Sequence, residues 1–372
     1  MTSLHQRLLT LDAHLDVPIH FTRADWSFAD RHDHATDLAQ VDLARMGDGA
    51  LTGGFFVIYT DQGALTPDGY AAARAHALRR SGEIDAMLAQ FANRIGLART
   101  ADDAERLHAG GKLIAFKSIE NSYPVGENLA ILADFAAAGV RLAGPVHGRN
   151  NQLADSSTDT PRWGGLSPLG REWVAAMNRH GIVLDASHAS DDAFDQMLEL
   201  SVTPIVLSHS SPRAAYDHPR NIDDDRIRAL AAAGGAIGAS TIFLSAFDCG
   251  PERRAAFYDL GRIGTLTSME QAAVCARWRA LDESAPMWIA GFDDYMAALL
   301  HAIDVAGVDH VCFGADFDGG GGLPGIEEVS SLPRITEALE ARGFSAADIA
   351  KMWSGNLLRI LRVAEWHAAA CG

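Results

Sequence analysis

The chain is short of cysteine, of proline and of positive charge, and each shortage narrows what it can be. Four cysteines in 372 residues (Cys249, Cys275, Cys312 and Cys371) show no CxxC or other short metal spacing and none lies beside a histidine cluster. That excludes a disulfide scaffold and a cysteine zinc site, and suits a reducing compartment. No run approaches the roughly 20 apolar residues of a membrane span. Residues 1–9 lack the basic-then-apolar pattern of a signal segment, so a cytoplasmic setting is expected. The 31 basic side chains face 48 acidic ones, a formal net charge of −17, and such a field repels phosphate backbones and anionic headgroups. Neither nucleic acid nor a membrane is an expected partner. With only 13 prolines, 35 glycines and 48% hydrophobic residues, the composition is that of a well-packed protein with many tight turns rather than a disordered chain.

What is present is a repeated device: apolar runs of strand length that end in a histidine or an acid. The first begins at Leu8 and closes on Asp12-Ala13-His14-Leu15-Asp16. Alternate side chains of an extended strand face the same way, so His14 and Asp16 point together while Leu15 faces the opposite layer. Further runs cover 51–59, 113–119, 140–146, 182–186, 204–207, 235–242 and 310–314. Helical patterns lie between them, over 68–95, 101–107, 128–138, 169–180, 191–200 and 223–233. Two or three more helices are expected after the seventh run, around 253–260, 268–281 and 292–305, and the chain closes with 335–341 and 345–361, the last interrupted at Gly355-Asn356.

Eight strands with helices between consecutive members predict a parallel α/β fold, a (β/α)8 TIM-type barrel formed by residues 1–372 as one domain. A helical insertion is expected at about 244–291, between strands seven and eight. Active sites of such barrels lie at the C-terminal strand ends, which here read His14/Asp16, Tyr59, Glu120, His147, His188, His209, Phe243 and Asp316. Four of the fifteen histidines fall at these ends together with three carboxylates. Core packing does not account for that grouping, since buried ionisable groups need partners.

His14, Asp16, His188 and His209, with Glu120 between them, are enough ligands for two divalent ions, the glutamate bridging. Two such ions can activate water and polarise a carbonyl, the template of metal-assisted hydrolysis. Lys117 is a second candidate for a bridging group, but it stands three residues from Glu120, so on a regular strand only one of them points inward; Glu120, nearer the mouth, is favoured. Asp316 is the candidate to carry the proton from the attacking water to the leaving amine, against a role that only orients a ligand histidine. Arg220, on a loop at the mouth, has the planar fork that recognises a carboxylate, unless it is a surface arginine paired with Asp223 or Asp224.

The ordered segments His14-Leu15-Asp16, Ser118-Ile119-Glu120-Asn121, Ala154-Asp155-Ser156-Ser157, Asp185-Ala186-Ser187-His188, Leu207-Ser208-His209-Ser210, Arg220-Asn221 and Gly314-Ala315-Asp316-Phe317-Asp318-Gly319 resemble the motif series of the membrane (renal) dipeptidase family. The likeness runs from about residue 8 to 362. It implies a zinc-dependent dipeptidase with two Zn2+ per chain. His14, Asp16 and Glu120 would hold one metal, and Glu120, His188 and His209 the other. His147 would face the oxyanion, Arg220 would clamp the substrate carboxylate with Asn221 beside it, and Asp316 would handle the proton. Family members commonly form homodimers, and some accept a D-residue at the C-terminal position. Leu15 stands where the family often has Asn, and Gly144-Pro145-Val146 precedes His147 where a Thr is usual; both changes bear on the pocket wall, not on the ligands.

An amidase or deacetylase of N-acyl amino acids could use the same metals and Arg220, and a non-catalytic barrel that senses a metal or peptide is a third class. Substrate selection is expected from 17–48, 59–68, 123–126 and the insertion, with Tyr123, Trp26 and Phe243 as candidate wall residues.

Overall fold

A computed structural model describes residues 2–247 and 250–371; Cys249, together with one neighbouring position of the expected insertion, lies outside the described residues. The strands are β1 (Leu11–Leu15), β2 (Gly53–Tyr59), β3 (Ile95–Leu97), β4 (Leu113–Glu120), β5 (Val140–Ala143), β6 (Val183–Leu184), β7 (Val206–Ser210), β8 (Ala236–Ala239) and β9 (Val311–Phe313). Each of the eight expected runs contains or overlaps one of them. The ninth, β3, corrects the reading of 68–95 as helical throughout. That helix stops at Gln90, and Ile95 pairs with Leu113 as the start of a three-residue strand, too short to show a period of its own.

All pairings between these strands are parallel. One sheet runs β1-β2-β4-β5-β6 with β3 also on β4, and a second runs β7-β8-β9. Two further parallel bridges link their edges, Asp185 to Val206 and Leu15 to Phe317. They are fastened by Ala186 N–H donating to Val206 O at 2.8 Å and Asp16 N–H to Phe317 O at 2.9 Å.

The helices start where the chain supplies caps. Thr66 accepts from Gly69 N–H ahead of the helix Pro67–Gln90, with Pro67 at its first position. Thr100 and Asp103 form a reciprocal capping box, and Ser167, Ser190 and Asp223 each accept from the third residue of their helices. Such a cap is worth about 1 kcal/mol. Gly181 ends the helix Pro168–His180 in the left-handed conformation, φ 65°. Near the C-terminus Lys351–Gly355 is a π turn leading into Asn356–Cys371, so the interruption expected at Gly355-Asn356 is a local widening of a continuing helix.

One apolar cluster takes a side chain from each of eight strands (Leu11, Phe55, Phe116, Leu142, Val183, Val206, Ala236 and Cys312) and packs them on Leu357, Leu358, Ile360 and Leu361 of the last helix. These contacts close the end of the sheets opposite the strand ends that carry His14, Glu120, His188 and His209. Parity on β4 decides between its two candidates. Lys117 points outward, donating to Ser81 Oγ at 2.9 Å and pairing with Asp85 at 2.7 Å on the neighbouring helix, while Glu120 points to the histidines. Among the described residues no helix is long and apolar enough to cross a membrane.

Candidate active site

Glu120 is the centre of the site. Its Oε2 lies 3.6 Å from His14 Nε2, and its Oε1 lies 2.9 Å from His188 Nε2, 3.7 Å from His209 Nε2 and 3.8 Å from His147 Nε2. The two oxygens of one carboxylate therefore serve two different groups. On the first side His14 Nε2 is also 3.3 Å from Asp16 and 3.8 Å from Asp316. On the second, His188 Nε2 and His209 Nε2 approach to 3.0 Å. Three sets of possible ligand atoms, His14/Asp16/Glu120, Glu120/His188/His209 and His14/His209/Asp316, each lie within 4.8 Å of one another.

This donor set fits divalent cations. Both ring nitrogens of His14 and Nδ1 of His188 are buried without a hydrogen-bond partner, a costly arrangement unless another group satisfies them. Asp16, Glu120 and Asp316 are all buried, as is the guanidinium of Arg220 beside them. Burial raises the Asp316 carboxyl well above the usual range, with Asp16 and Glu120 adding to the effect. Burial and the nearby Arg220 depress His188, and burial, His14 and Arg220 depress His209, so both stay neutral. Against the pull of burial, Glu120 and Asp16 raise His14 well above its ordinary value, and a bound cation would take the place of that proton.

The ligand-type side chains are held from behind. Asp185 accepts from Ser187 N–H at 3.0 Å, Ser187 Oγ at 2.6 Å and Ser208 N–H at 3.0 Å, and Ser208 Oγ donates to its other oxygen. With its proton spent on Asp185, Ser208 Oγ accepts from His209 Nδ1 at 2.7 Å, which leaves His209 Nε2 as a bare lone pair facing Glu120. Asp12 sits beneath His14 on the same strand, accepting from His14 N–H at 2.9 Å and from Ala315 N–H at 3.1 Å, and burial pushes its carboxyl up to about 7. Gly319 allows a close approach to the ligand carboxylates: a methyl there would overlap Asp16 Oδ2 and crowd Asp316 Oδ1. Around the mouth Asn121 (φ 65°), Phe243 (φ 53°), Asp316 (φ 62°) and Asp318 (φ 67°) take left-handed backbone, a strain found where side chains must be aimed.

Arg220 is 4% exposed, and its fork is only partly used. One terminal nitrogen donates to Ser187 O and lies 3.5 Å from Ser210 Oγ; the other is 3.2 Å from His188 Nε2 and 3.3 Å from His209 O. Nε has no partner, and among the described residues no carboxylate lies within ion-pair distance of the guanidinium. Asp223 pairs with Arg213 and Arg226, and Asp224 with Arg228 and His301, which removes the reading of Arg220 as their partner. Burial pushes Arg220 down to about 10.

A cavity of about 820 Å³ opens over these groups, with Asp16, Glu120, His147, His188, His209, Arg220 and Asp316 in its lining. His147 comes from the loop beyond β5, its ring 4.3 Å from that of His188 and 5.1 Å from that of Tyr59. Asn221 is the expected substrate contact that the structure does not bring to the cavity. Its amide donates to Tyr216 O at 2.8 Å and Phe243 O at 2.7 Å, behind the wall. Of the candidate wall residues Tyr123 and Phe243 face the cavity, whereas Trp26 stacks on His32 at 4.5 Å and does not. The roles of Asp185, Ser208 and Gly319 and the aromatic rings of Phe247 and Trp288 were not read from the sequence. The visible signal is that Asp185, Ser208 and Gly319 stand within the segments Asp185-Ala186-Ser187-His188, Leu207-Ser208-His209-Ser210 and Gly314–Gly319.

A family model described as membrane dipeptidase (peptidase family M19) matches residues 1–371. The chain belongs to the membrane dipeptidase family. Its activity class is that of a metal-dependent hydrolase acting on dipeptides. Among relatives of this dipeptidase, "Dipeptidase tcpJ" of Claviceps purpurea is 31% identical over 96% of this chain and 78% of its own. Among solved structures, the probable dipeptidase PvdM from Pseudomonas aeruginosa matches with a TM-score of 0.84 at 31% identity, over 98% of this chain and 97% of that one. A structure described as dipeptidase AC, a metallo peptidase, matches with a TM-score of 0.77 at 25% identity, over 96% and 99%.

Proposed function

We propose that this dipeptidase carries two zinc ions and hydrolyses free dipeptides, L-Xaa-D-Xaa as well as L-Xaa-L-Xaa, on a single-domain (β/α)8 barrel with a helical insertion at about 244–291. The two parallel sheets, joined at both edges by the bridges Asp185–Val206 and Leu15–Phe317, support the barrel. The helices Pro251–Gly261 and Ser268–Ser284 support the insertion. His14, Asp16 and Glu120 would hold one ion and Glu120, His188 and His209 the other, each set combining imidazole and carboxylate ligands that suit zinc. Bound zinc supplies an acidified water and polarisation of the scissile carbonyl.

The protein's own side chains do the rest. Arg220 binds the substrate's free carboxylate and so fixes which bond lies over Glu120. His147, kept neutral chiefly by burial, donates from its ring to the carbonyl oxygen as charge develops there. Asp316, whose ionised form bound cations would favour against the upward pull of burial, takes the proton of the attacking water and delivers it to the departing amine. The observation that carries this reading is the buried guanidinium with no carboxylate at ion-pair distance among the described residues, in the same cavity as a carboxylate shared between His14 on one side and His188, His209 and His147 on the other: the protein offers a carboxylate clamp beside a hydrolytic centre. The test is the initial rate on free dipeptides against the same dipeptides N-acetylated. Turnover of the free forms with loss on acetylation supports a dipeptidase; turnover confined to the acylated forms transfers the site to N-acyl amino acids.

A further inference from the structure

The cavity is larger than a dipeptide of small residues needs, standing near the top of the ~300–1,000 Å³ range of small-molecule sites. Its extra space is not evenly built. On the side of Arg220 three aromatic rings meet: Phe243 and Phe247 at 5.2 Å between centroids, Phe243 and Trp288 at 5.7 Å, and Phe247 and Trp288 at 5.1 Å, distances of mutually packed rings. Phe243 lies 5.8 Å from the Arg220 guanidinium carbon and is held by residues that flank Arg220 in the segment after β7. His218 stacks on it at 4.2 Å and 13°, and Asn221 binds its carbonyl. A phenylalanine in left-handed backbone is an unfavourable choice for packing alone, yet here it aims the ring beside the clamp. Trp288 is fixed on the other side by its Nε1–H on Gly320 O at 2.9 Å, in the glycine loop that follows Asp316.

A carboxylate on Arg220 places the α-carbon that bears it within reach of this wall, whereas the N-terminal residue lies across the scissile bond. Resting on the dipeptidase reading above, we infer that the C-terminal residue's side chain seats against Phe243, Phe247 and Trp288, so that the preferred substrates are dipeptides ending in a bulky apolar residue, aromatic above all. An apolar pocket discriminates by about 10- to 200-fold per group filled or missing.

The experiment measures kcat/KM of the zinc-loaded enzyme on L-Ala-Xaa with Xaa as Gly, Leu and Phe in both configurations, and on the converse L-Xaa-Gly series. In at least one configuration Leu and Phe exceed Gly by 10-fold or more. Phe247→Ala and Trp288→Ala each reduce that ratio at least fivefold, and shift the ratio within the converse series less than twofold. Because Trp288 is buried, Phe247→Ala, at a half-buried loop position, keeps the test open if the tryptophan variant fails to fold. Equal rates for Gly, Leu and Phe, or variants that move both series alike, overturn the inference. Absence of turnover on every free dipeptide would instead sink the functional reading beneath it.

Discussion

Replacing Arg220 tests the carboxylate clamp in a way that the substrate itself can control. The guanidinium is buried, has an unpartnered Nε and faces no carboxylate within ion-pair distance among the described residues. A substrate carboxylate would complete a desolvated, charge-assisted pair, and truncating one member of such a pair costs about 2–5 kcal/mol. At about 1.4 kcal/mol per decade that is roughly a 30- to 5,000-fold loss in kcat/KM for Arg220→Met. The assay is a cycle: L-Ala-L-Phe and its C-terminal amide, each with the native enzyme and with Arg220→Met, metal content measured on the same samples. The native enzyme should prefer the free acid by a factor in that range, and the variant should treat acid and amide within about threefold of each other. Arg220→Lys keeps a charge but not the fork, and falls between. If the native enzyme hydrolyses the amide as fast as the acid, or if Arg220→Met keeps the preference, Arg220 does not bind the substrate carboxylate.

Three other outcomes are expected. Glu120→Gln, which removes the charge shared by both groups of histidines, should lose most bound zinc and at least 100-fold in rate, whereas Lys117→Met, facing Ser81 and Asp85, should keep its zinc; metal analysis by mass spectrometry separates them. Ser208→Ala removes the acceptor that fixes the His209 tautomer and should weaken zinc binding about 10- to 100-fold in a chelator competition, with little change in far-UV circular dichroism. The third concerns His5, which accepts from Thr336 Oγ1 at 2.7 Å, donates to Gly49 O at 2.9 Å and is lowered by burial to about 4 from the ordinary 6.5. The unfolded chain therefore takes up this proton first. Stability present at neutral pH drains away as pH falls from about 6.5 towards 4, about 2 kcal/mol of it between pH 7 and pH 5. Urea unfolding at the two pH values should show this loss, and His5→Gln should show less of it.

How much of this was legible in the sequence depended on the range of the interaction. Eight strands announced themselves because each is a short apolar run bounded by turn residues, and the parity of β4 was enough to turn Glu120 inward and Lys117 outward. Strand β3 was hidden because three residues carry no period and its partner, Leu113, lies 18 positions away. The grouping of His14, Glu120, His188 and His209 followed from their common place at strand ends. The support under them did not: Asp185 acts on His209 through Ser208, across the junction of β6 and β7. The aromatic wall joins Phe243 and Phe247 to Trp288 over a long helical segment, and no spacing rule connects them. The amide of Asn221 turns to Tyr216 O and Phe243 O instead, because adjacency to Arg220 does not say which of two neighbouring side chains enters the cavity.

The most direct measurement of the central claim is stepwise zinc reconstitution of chelator-treated protein, following zinc bound per chain and hydrolysis of a free dipeptide on the same samples. The account predicts negligible activity without metal and full activity at two zinc ions per chain. Full activity with one ion or none, or a chain that binds two zinc ions and leaves every free dipeptide intact, would contradict it.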